Sequence, residues 1–162
     1  RVGGVEPLVP RRGRQEHRHA VVDRRHGLVG RRGDNGGRPQ ALLAVPVGLF
    51  ASAILVVNNV RDLDTDRRAG KRTLAVRLGR PATRNMYAGM LIVAFLVTPL
   101  PWILGDLSPW LLLSWLAIPL AVGLVRTVRT HTDGPTLNGA LAGTGMMQLV
   151  FCVLLSTGIL LS

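Results

Sequence analysis

Three side chains that could bind a metal ion recur at every fourth position of one short stretch. Asn58, Asp62 and Asp66 lie within VVNNVRDLDTDRRAGKRTLAVRLG, residues 56–79. In a helix, positions i, i+4 and i+8 share one face, so the oxygens of these side chains would form a single stripe. Mg²⁺ takes one or two carboxylates and completes its shell with water and substrate phosphates. The spacing therefore predicts a site for Mg²⁺ and a diphosphate.

The neighbouring residues extend this prediction. Asn59 borders the stripe, whereas Asp64 should point to the opposite side of the helix. Gly70 is expected to end the helix, and Lys71 and Arg72 then supply an ammonium and a guanidinium for phosphate oxygens. A solvated helix end with idle surface ion pairs is the plainer interpretation. The position of the stripe beside an apolar run, followed by a Gly-Lys-Arg turn, favours the site.

Four apolar stretches determine the predicted fold class. Each contains no Lys, Arg, Asp, Glu or His, and they cover residues 41–57, 86–104, 109–125 and 139–161. A membrane-spanning helix needs about 17–25 such residues, and Pro and Gly inside it are tolerated between packed helices. Gly139, Gly143 and Gly145 indicate close packing of the last helix. We predict an all-α, polytopic transmembrane helix bundle in a lipid bilayer.

Charge at the ends of these stretches predicts their orientation. The segment between the first two spans is strongly cationic, and the loop before the last span carries Arg126 and Arg129. The turn at residues 105–109 has no cation, and Trp102 and Trp110 flank it. Because positive loops face the cytoplasm and tryptophans favour the interface, this turn should lie outside. The candidate site would then face the cytoplasm at the inner (plasma) membrane.

Residues 1–40 form a basic leader with no helical or strand period, ahead of a membrane portion at residues 41–162. The net charge of +11 comes from this leader and from residues 61–84, so it does not describe a basic globular surface, and no nucleic-acid partner is expected. The leader could be disordered or could bind lipid or RNA. The hypothesis we favour is out-of-frame translation of GC-rich DNA, which upstream DNA lacking apolar spans in the other frames would refute. Cys152 is the single cysteine, which excludes a disulfide framework.

The stretch NNVRDLDTDRRAGKRTLAVRLG, residues 58–79, resembles the second aspartate-rich motif of the UbiA superfamily of intramembrane prenyltransferases. Within that superfamily it is most similar to the 1,4-dihydroxy-2-naphthoate polyprenyltransferases of menaquinone biosynthesis. The resemblance runs from about residue 41 to the C-terminus. It implies the C-terminal half of a fold with about nine spanning helices, without the first aspartate-rich motif. A chain of this kind is expected to be inactive alone.

The resemblance also implies a reaction and roles for individual residues. A polyprenyl group would pass from its diphosphate to 1,4-dihydroxy-2-naphthoate, with Mg²⁺ as cofactor and with loss of CO₂ and diphosphate. The implied site has two catalytic, metal-binding aspartates and four diphosphate-binding residues: Asp62 and Asp66, then Asn58, Asn59, Lys71 and Arg72. Two alternatives stay open, a superfamily member with another acceptor, such as 4-hydroxybenzoate, and a membrane fragment without enzymatic activity.

Overall fold

A computed structural model of the protein describes residues 37–162, and all structural statements below concern that part of the chain. Its regular elements are all helices, in the order α1 (Arg38–Arg68), α2 (Leu74–Leu78), α3 (Arg80–Val97), α4 (Leu100–Ile103), a 3₁₀ helix (Pro109–Ala117), α5 (Ile118–Thr130) and α6 (Gly134–Leu160). Most of the predicted basic leader lies outside the described residues and stays a prediction. Helix α1 nevertheless begins at Arg38, inside the last three residues assigned to that leader.

The prediction of four membrane spans is confirmed. Four helical stretches are long and apolar enough to cross a bilayer: Arg38–Arg68, Arg80–Ile103, Pro109–Thr130 and Gly134–Leu160. The first one continues well past its apolar run and stays helical to Arg68, although Pro46 inside it donates no backbone hydrogen bond. Its 31 residues make a rod of about 46 Å at 1.5 Å per residue. The hydrocarbon core of a bilayer is about 30 Å thick, so the polar end of α1 extends beyond it.

Aromatic side chains from three helices form the centre of the bundle. Phe50 of α1, Phe95 of α3 and Phe151 of α6 pack edge to face, with ring centroids 4.7–5.7 Å apart. All three rings are buried. Helix α1 therefore packs against both α3 and α6, while α5 closes the bundle against α6. Edge-to-face packing is a favourable arrangement of aromatic rings, so this cluster helps to fix how the helices meet.

Three polar side chains in the interior of the bundle form hydrogen bonds: Tyr87, Thr144 and Gln148. The buried hydroxyls of Tyr87 on α3 and Thr144 on α6 are 2.9 Å apart, and Thr144 also donates to the Ala140 carbonyl. Gln148 on α6 donates a long hydrogen bond of 3.5 Å to the Val47 carbonyl on α1. Polar atoms removed from water need such partners. The bonds of Tyr87 and Gln148 tie α6 to α3 and to α1.

The two ends of the bundle differ in chemistry. At one end the Arg61 guanidinium contacts Asn138, and Arg84 donates to the His131 carbonyl. At the other end the Ser108 amide donates to the hydroxyl of Ser162 at 2.9 Å. The chain thus passes back and forth between a strongly charged end and a nearly uncharged one. Which end faces the cytoplasm is still the prediction made from the loop charges.

The third span begins as a 3₁₀ helix and comes very close to α6. A Cβ atom added to Gly158 would lie 2.4 Å from the Trp110 carbonyl oxygen, which is backbone and cannot move aside as a side chain can. Close packing at Gly143 is confirmed, because a Cβ there would lie 2.7 Å from a methyl carbon of Leu124. At Gly139 and Gly145 the prediction is wrong, since no heavy atom lies within 4 Å of the added Cβ. Among the glycines of α6 tested in this way, Gly158 therefore has the least room for a side chain.

Gly158→Ala is expected to lower the free energy of unfolding by about 1–3 kcal/mol, because the added methyl group must push the 3₁₀ helix away. Unfolding of the purified protein in detergent measures the change. Gly145→Ala is the matched control, with the same substitution on the same helix and open space around it. It should be neutral or slightly stabilising, since alanine is the better helix former. Equal effects of the two variants would contradict the close contact.

Candidate functional site

The predicted stripe lies on the polar end of α1. Asn58, Asn59 and Asp62 are half-buried there, and Asp66 is buried, with 7% of its surface exposed. Asn58, Asp62 and Asp66 lie on the same face because α1 is helical there and residues four apart share a face. A buried carboxylate needs a partner for its charge. The partner of the Asp66 carboxylate is therefore an essential part of this end of the stripe.

Asp66 is held by the turn that ends the helix. Gly70 adopts a left-handed conformation with φ of +72°, and its amide donates to the Arg67 carbonyl. The Lys71 amide then donates to the Asp66 carbonyl at 2.9 Å. This pair of hydrogen bonds is the Schellman motif, for which glycine is the favoured residue. The motif brings the Lys71 ammonium to 3.1 Å from the Asp66 carboxylate, and the prediction that Gly70 ends the helix is confirmed.

Arg61 connects the stripe to the last helix. Its guanidinium donates to both carboxylate oxygens of Asp62, at 2.7 and 2.8 Å, and to the amide oxygen of Asn58 at 2.8 Å. The remaining terminal nitrogen donates to the Asn138 side chain on α6 at 2.5 Å. The motif in the sequence predicted no role for Arg61 or Asn138. The contact of Arg61 with Asn58 could have been predicted, because the two residues are three apart on one helix. The contact with Asn138 could not, because 77 residues separate it from Arg61.

Asp64 points away from the stripe, as its position on the helix predicted. Its carboxylate is 2.6 Å from the guanidinium of Arg80 at the start of α3. Arg80 also donates to the Val60 carbonyl at 3.1 Å. This ion pair is part of the α1–α3 contact, and 64% of the Asp64 side chain is exposed. Asp64 is therefore a suitable control residue for the stripe.

The two predicted cations have different surroundings. Lys71 pairs with Asp66, whereas Arg72 is exposed and lines a polar recess of about 430 Å³ together with Arg77 of α2. Within residues 37–162 neither arginine forms an ion pair with a carboxylate. Between them in sequence, the hydroxyl of Thr73 is buried and has no hydrogen-bond partner. Arg77 is a residue that the sequence analysis left out of the site.

The side-chain oxygens of the stripe are of the chemical kind that Mg²⁺ accepts when its other ligands are water and substrate phosphates. The described part of the chain contains no group of three or more His, Cys, Asp or Glu residues that could hold a metal. Asp62 and Asp66 with the Asn58 amide match the small protein ligand set that Mg²⁺ accepts beside phosphates and water. Arg61 occupies both oxygens of Asp62. A metal at Asp62 would therefore replace at least one of these hydrogen bonds.

Comparisons with known proteins agree on one family. Residues 32–141 match the profile of the UbiA prenyltransferase family, beginning inside the predicted leader. The chain is 41% identical over 110 residues to 1,4-dihydroxy-2-naphthoate octaprenyltransferase of Mycobacterium tuberculosis, covering 68% of this chain and 37% of that protein. The protein of the same name from Bacillus subtilis is 30% identical over 121 residues, covering 75% and 39%. Digeranylgeranylglyceryl phosphate synthase of Natronomonas pharaonis is 36% identical over 104 residues, covering 60% and 37%.

The matched region is only part of these relatives. The chain spans less than two fifths of the length of each relative named above. No solved structure matches the chain significantly.

A double-mutant cycle tests the bridge between α1 and α6. Arg61→Gln and Asn138→Ala should each destabilise the protein, and their effects should be non-additive by about 0.5–1.5 kcal/mol because the two side chains share a hydrogen bond. Unfolding in detergent provides the four free energies. The control cycle pairs Arg67→Gln, on an exposed residue of the same helix, with Asn138→Ala and should be additive. A coupling energy near zero in the first cycle would contradict the bridge.

Proposed function

Because the chain belongs to the UbiA prenyltransferase family, we propose that it takes part in Mg²⁺-dependent transfer of a polyprenyl group from its diphosphate to 1,4-dihydroxy-2-naphthoate, a step of menaquinone biosynthesis. Relatives at 30–41% identity carry the name 1,4-dihydroxy-2-naphthoate octaprenyltransferase. The observation that supports the proposal most is the stripe of Asn58, Asp62 and Asp66 at the end of a membrane-spanning helix. The family and the four spans make the chain a multi-pass membrane protein. Its place in the plasma membrane with the site facing the cytoplasm belongs to the proposal.

We assign different residues to the metal ion and to the phosphate oxygens of the polyprenyl diphosphate. Asp62 and Asp66, with Asn58 or Asn59, would hold the metal, which when bound neutralises charge that develops on the departing diphosphate. Arg72, which has no carboxylate partner among the described residues, would bind phosphate oxygens through its forked donors. Lys71 would lie beside them while it still compensates the charge of Asp66. Preorganised cations of this kind stabilise a leaving anion without further rearrangement.

The reacting allylic carbon of the polyprenyl diphosphate must be shielded from water. The bond between the allylic carbon and the diphosphate oxygen breaks with both electrons leaving on the diphosphate. An electron-rich carbon of the aromatic ring then forms the new carbon–carbon bond, and the ring carboxylate is lost as CO₂. Apolar helices beside the site would accommodate the isoprenoid chain and keep water from the allylic cation.

This chain would supply one part of the complete diphosphate site. The resemblance implies a first aspartate-rich motif elsewhere in a complete enzyme, and the described residues carry the second. We therefore expect the 162-residue chain alone to bind the donor but not to complete the reaction. Activity would need a segment that contains the first motif.

Binding of a non-hydrolysable farnesyl diphosphate analogue to the chain in nanodiscs tests the metal site without turnover. We expect affinity to rise on addition of Mg²⁺ and to fall on chelation. Asp62→Asn and Asp66→Asn should each reduce the gain in affinity that Mg²⁺ produces by at least about tenfold, because each removes a carboxylate from a small ligand set. Asp64→Asn is the matched control and should bind like the parent, since Asp64 contacts Arg80 instead. Binding that persists equally after chelation would contradict the assignment.

Product formation tests the acceptor. Membranes that contain the chain together with a segment carrying the first motif are supplied with polyprenyl diphosphate, Mg²⁺ and either 1,4-dihydroxy-2-naphthoate or 4-hydroxybenzoate. Mass spectrometry should detect the prenylated, decarboxylated naphthoate derivative. Product from 4-hydroxybenzoate alone would favour another branch of the family. No product from either acceptor, together with no donor binding, would favour a membrane fragment without enzymatic activity.

A further inference from the structure

A groove on the opposite side of the bundle from the α1–α6 contact has the chemistry of a lipid site. It lies between α3 and α5 and has a volume of about 490 Å³. Its walls are apolar and partly open to the surroundings, with exposed fractions of 59% for Ile92, 63% for Leu96 and 44% for Val122. In a membrane span such side chains face lipid or another helix. The groove is large enough to receive part of an acyl chain.

Two arginines line the charged end of this groove. Arg126 and Arg129 lie three residues apart near the end of α5, so they share one face of the helix. Both are exposed, and neither forms an ion pair with a carboxylate within residues 37–162. Arg129 makes one long hydrogen bond of 3.4 Å to the Asn85 side chain. Their positive charge is therefore available to an external anion.

The groove is separate from the candidate prenyl-transfer site. Its lining residues come from α3, the 3₁₀ helix and α5, and none comes from α1, α2 or α6. Asp62, by contrast, is linked through Arg61 to Asn138 on α6. The groove and the stripe of α1 share no lining residue. The inference therefore does not depend on the proposed function.

We propose that this groove binds an anionic phospholipid, with one acyl chain along the apolar walls and the phosphate at Arg126 and Arg129. Basic pockets between membrane helices commonly bind anionic head groups, and arginine is well suited to phosphate because its donors form a fork. A zwitterionic lipid would bring the same acyl chain but a choline cation beside the two arginines. Charge complementarity thus selects the anionic lipid over the zwitterionic one.

Fluorescence of Trp115 provides a direct measurement, because this residue lines the groove and its ring nitrogen donates to the Phe95 carbonyl at 3.2 Å. The full chain carrying Trp102→Phe and Trp110→Phe, so that Trp115 is its single tryptophan, is reconstituted in nanodiscs. Phosphatidylglycerol or phosphatidylcholine with brominated acyl chains is then titrated. We expect brominated phosphatidylglycerol to quench at a lower mole fraction, by about fivefold for each arginine that contacts the phosphate.

Matched variants separate the groove from general surface charge. Arg126→Gln with Arg129→Gln should abolish the preference for phosphatidylglycerol, and Arg126→Lys with Arg129→Lys should keep most of it. Arg67→Gln with Arg68→Gln removes the same charge from exposed positions at the end of α1, outside the groove, and should leave the preference unchanged.

Three results would overturn the proposal. The first is equal quenching of Trp115 by phosphatidylglycerol and phosphatidylcholine. The second is a loss of the preference for phosphatidylglycerol in the Arg67→Gln, Arg68→Gln control as large as in the Arg126→Gln, Arg129→Gln variant. The third is protection of Trp115 from both lipids, which would mean that a second copy or another protein segment covers the groove.

Discussion

The helical conformation that α1 keeps from Arg38 to Arg68 is the constraint on which the candidate site depends. Inside a bilayer every amide and carbonyl must find a partner within the helix, so the apolar half of α1 can cross the membrane only as a helix. The same helix then runs on through Asn58 and Asp62 to Arg68 without a break. Residues that would otherwise belong to a flexible loop are thereby held at helical spacing beyond the hydrocarbon. The stripe lies at helical spacing because α1 is longer than the hydrocarbon core of the bilayer is thick.

Charge pairing then determines what each carboxylate of this helix can do. Asp62, Asp64 and Asp66 pair with three different cations, Arg61, Arg80 and Lys71. The Asp64 pair joins α1 to α3, and the Asp66 pair closes the turn that ends the helix. Only the Asp62 pair extends to α6, through the second hydrogen-bonding edge of Arg61. A metal ion at Asp62 would compete with Arg61 for the same carboxylate oxygens.

The bundle separates two kinds of surface. The contact of α1 with α6 joins Arg61 to Asn58, Asp62 and Asn138, whereas the cleft between α3 and α5 is apolar with two cations at one end. The groove shares no lining residue with the stripe of α1, so the two surfaces are built from different residues of the bundle.

Local pattern was sufficient for much of this protein. Four spans, the stripe of Asn58, Asp62 and Asp66, and the helix end at Gly70 all depend on hydropathy, helical period and glycine conformation, which are properties of neighbouring residues. The tertiary structure alone decided which distant groups meet. Arg61 reaches Asn138, Gly158 meets the Trp110 backbone, and the adjacent Lys71 and Arg72 have different surroundings. These outcomes depend on how each helix is rotated and how closely it packs against the next, and no local period in the sequence contains that information.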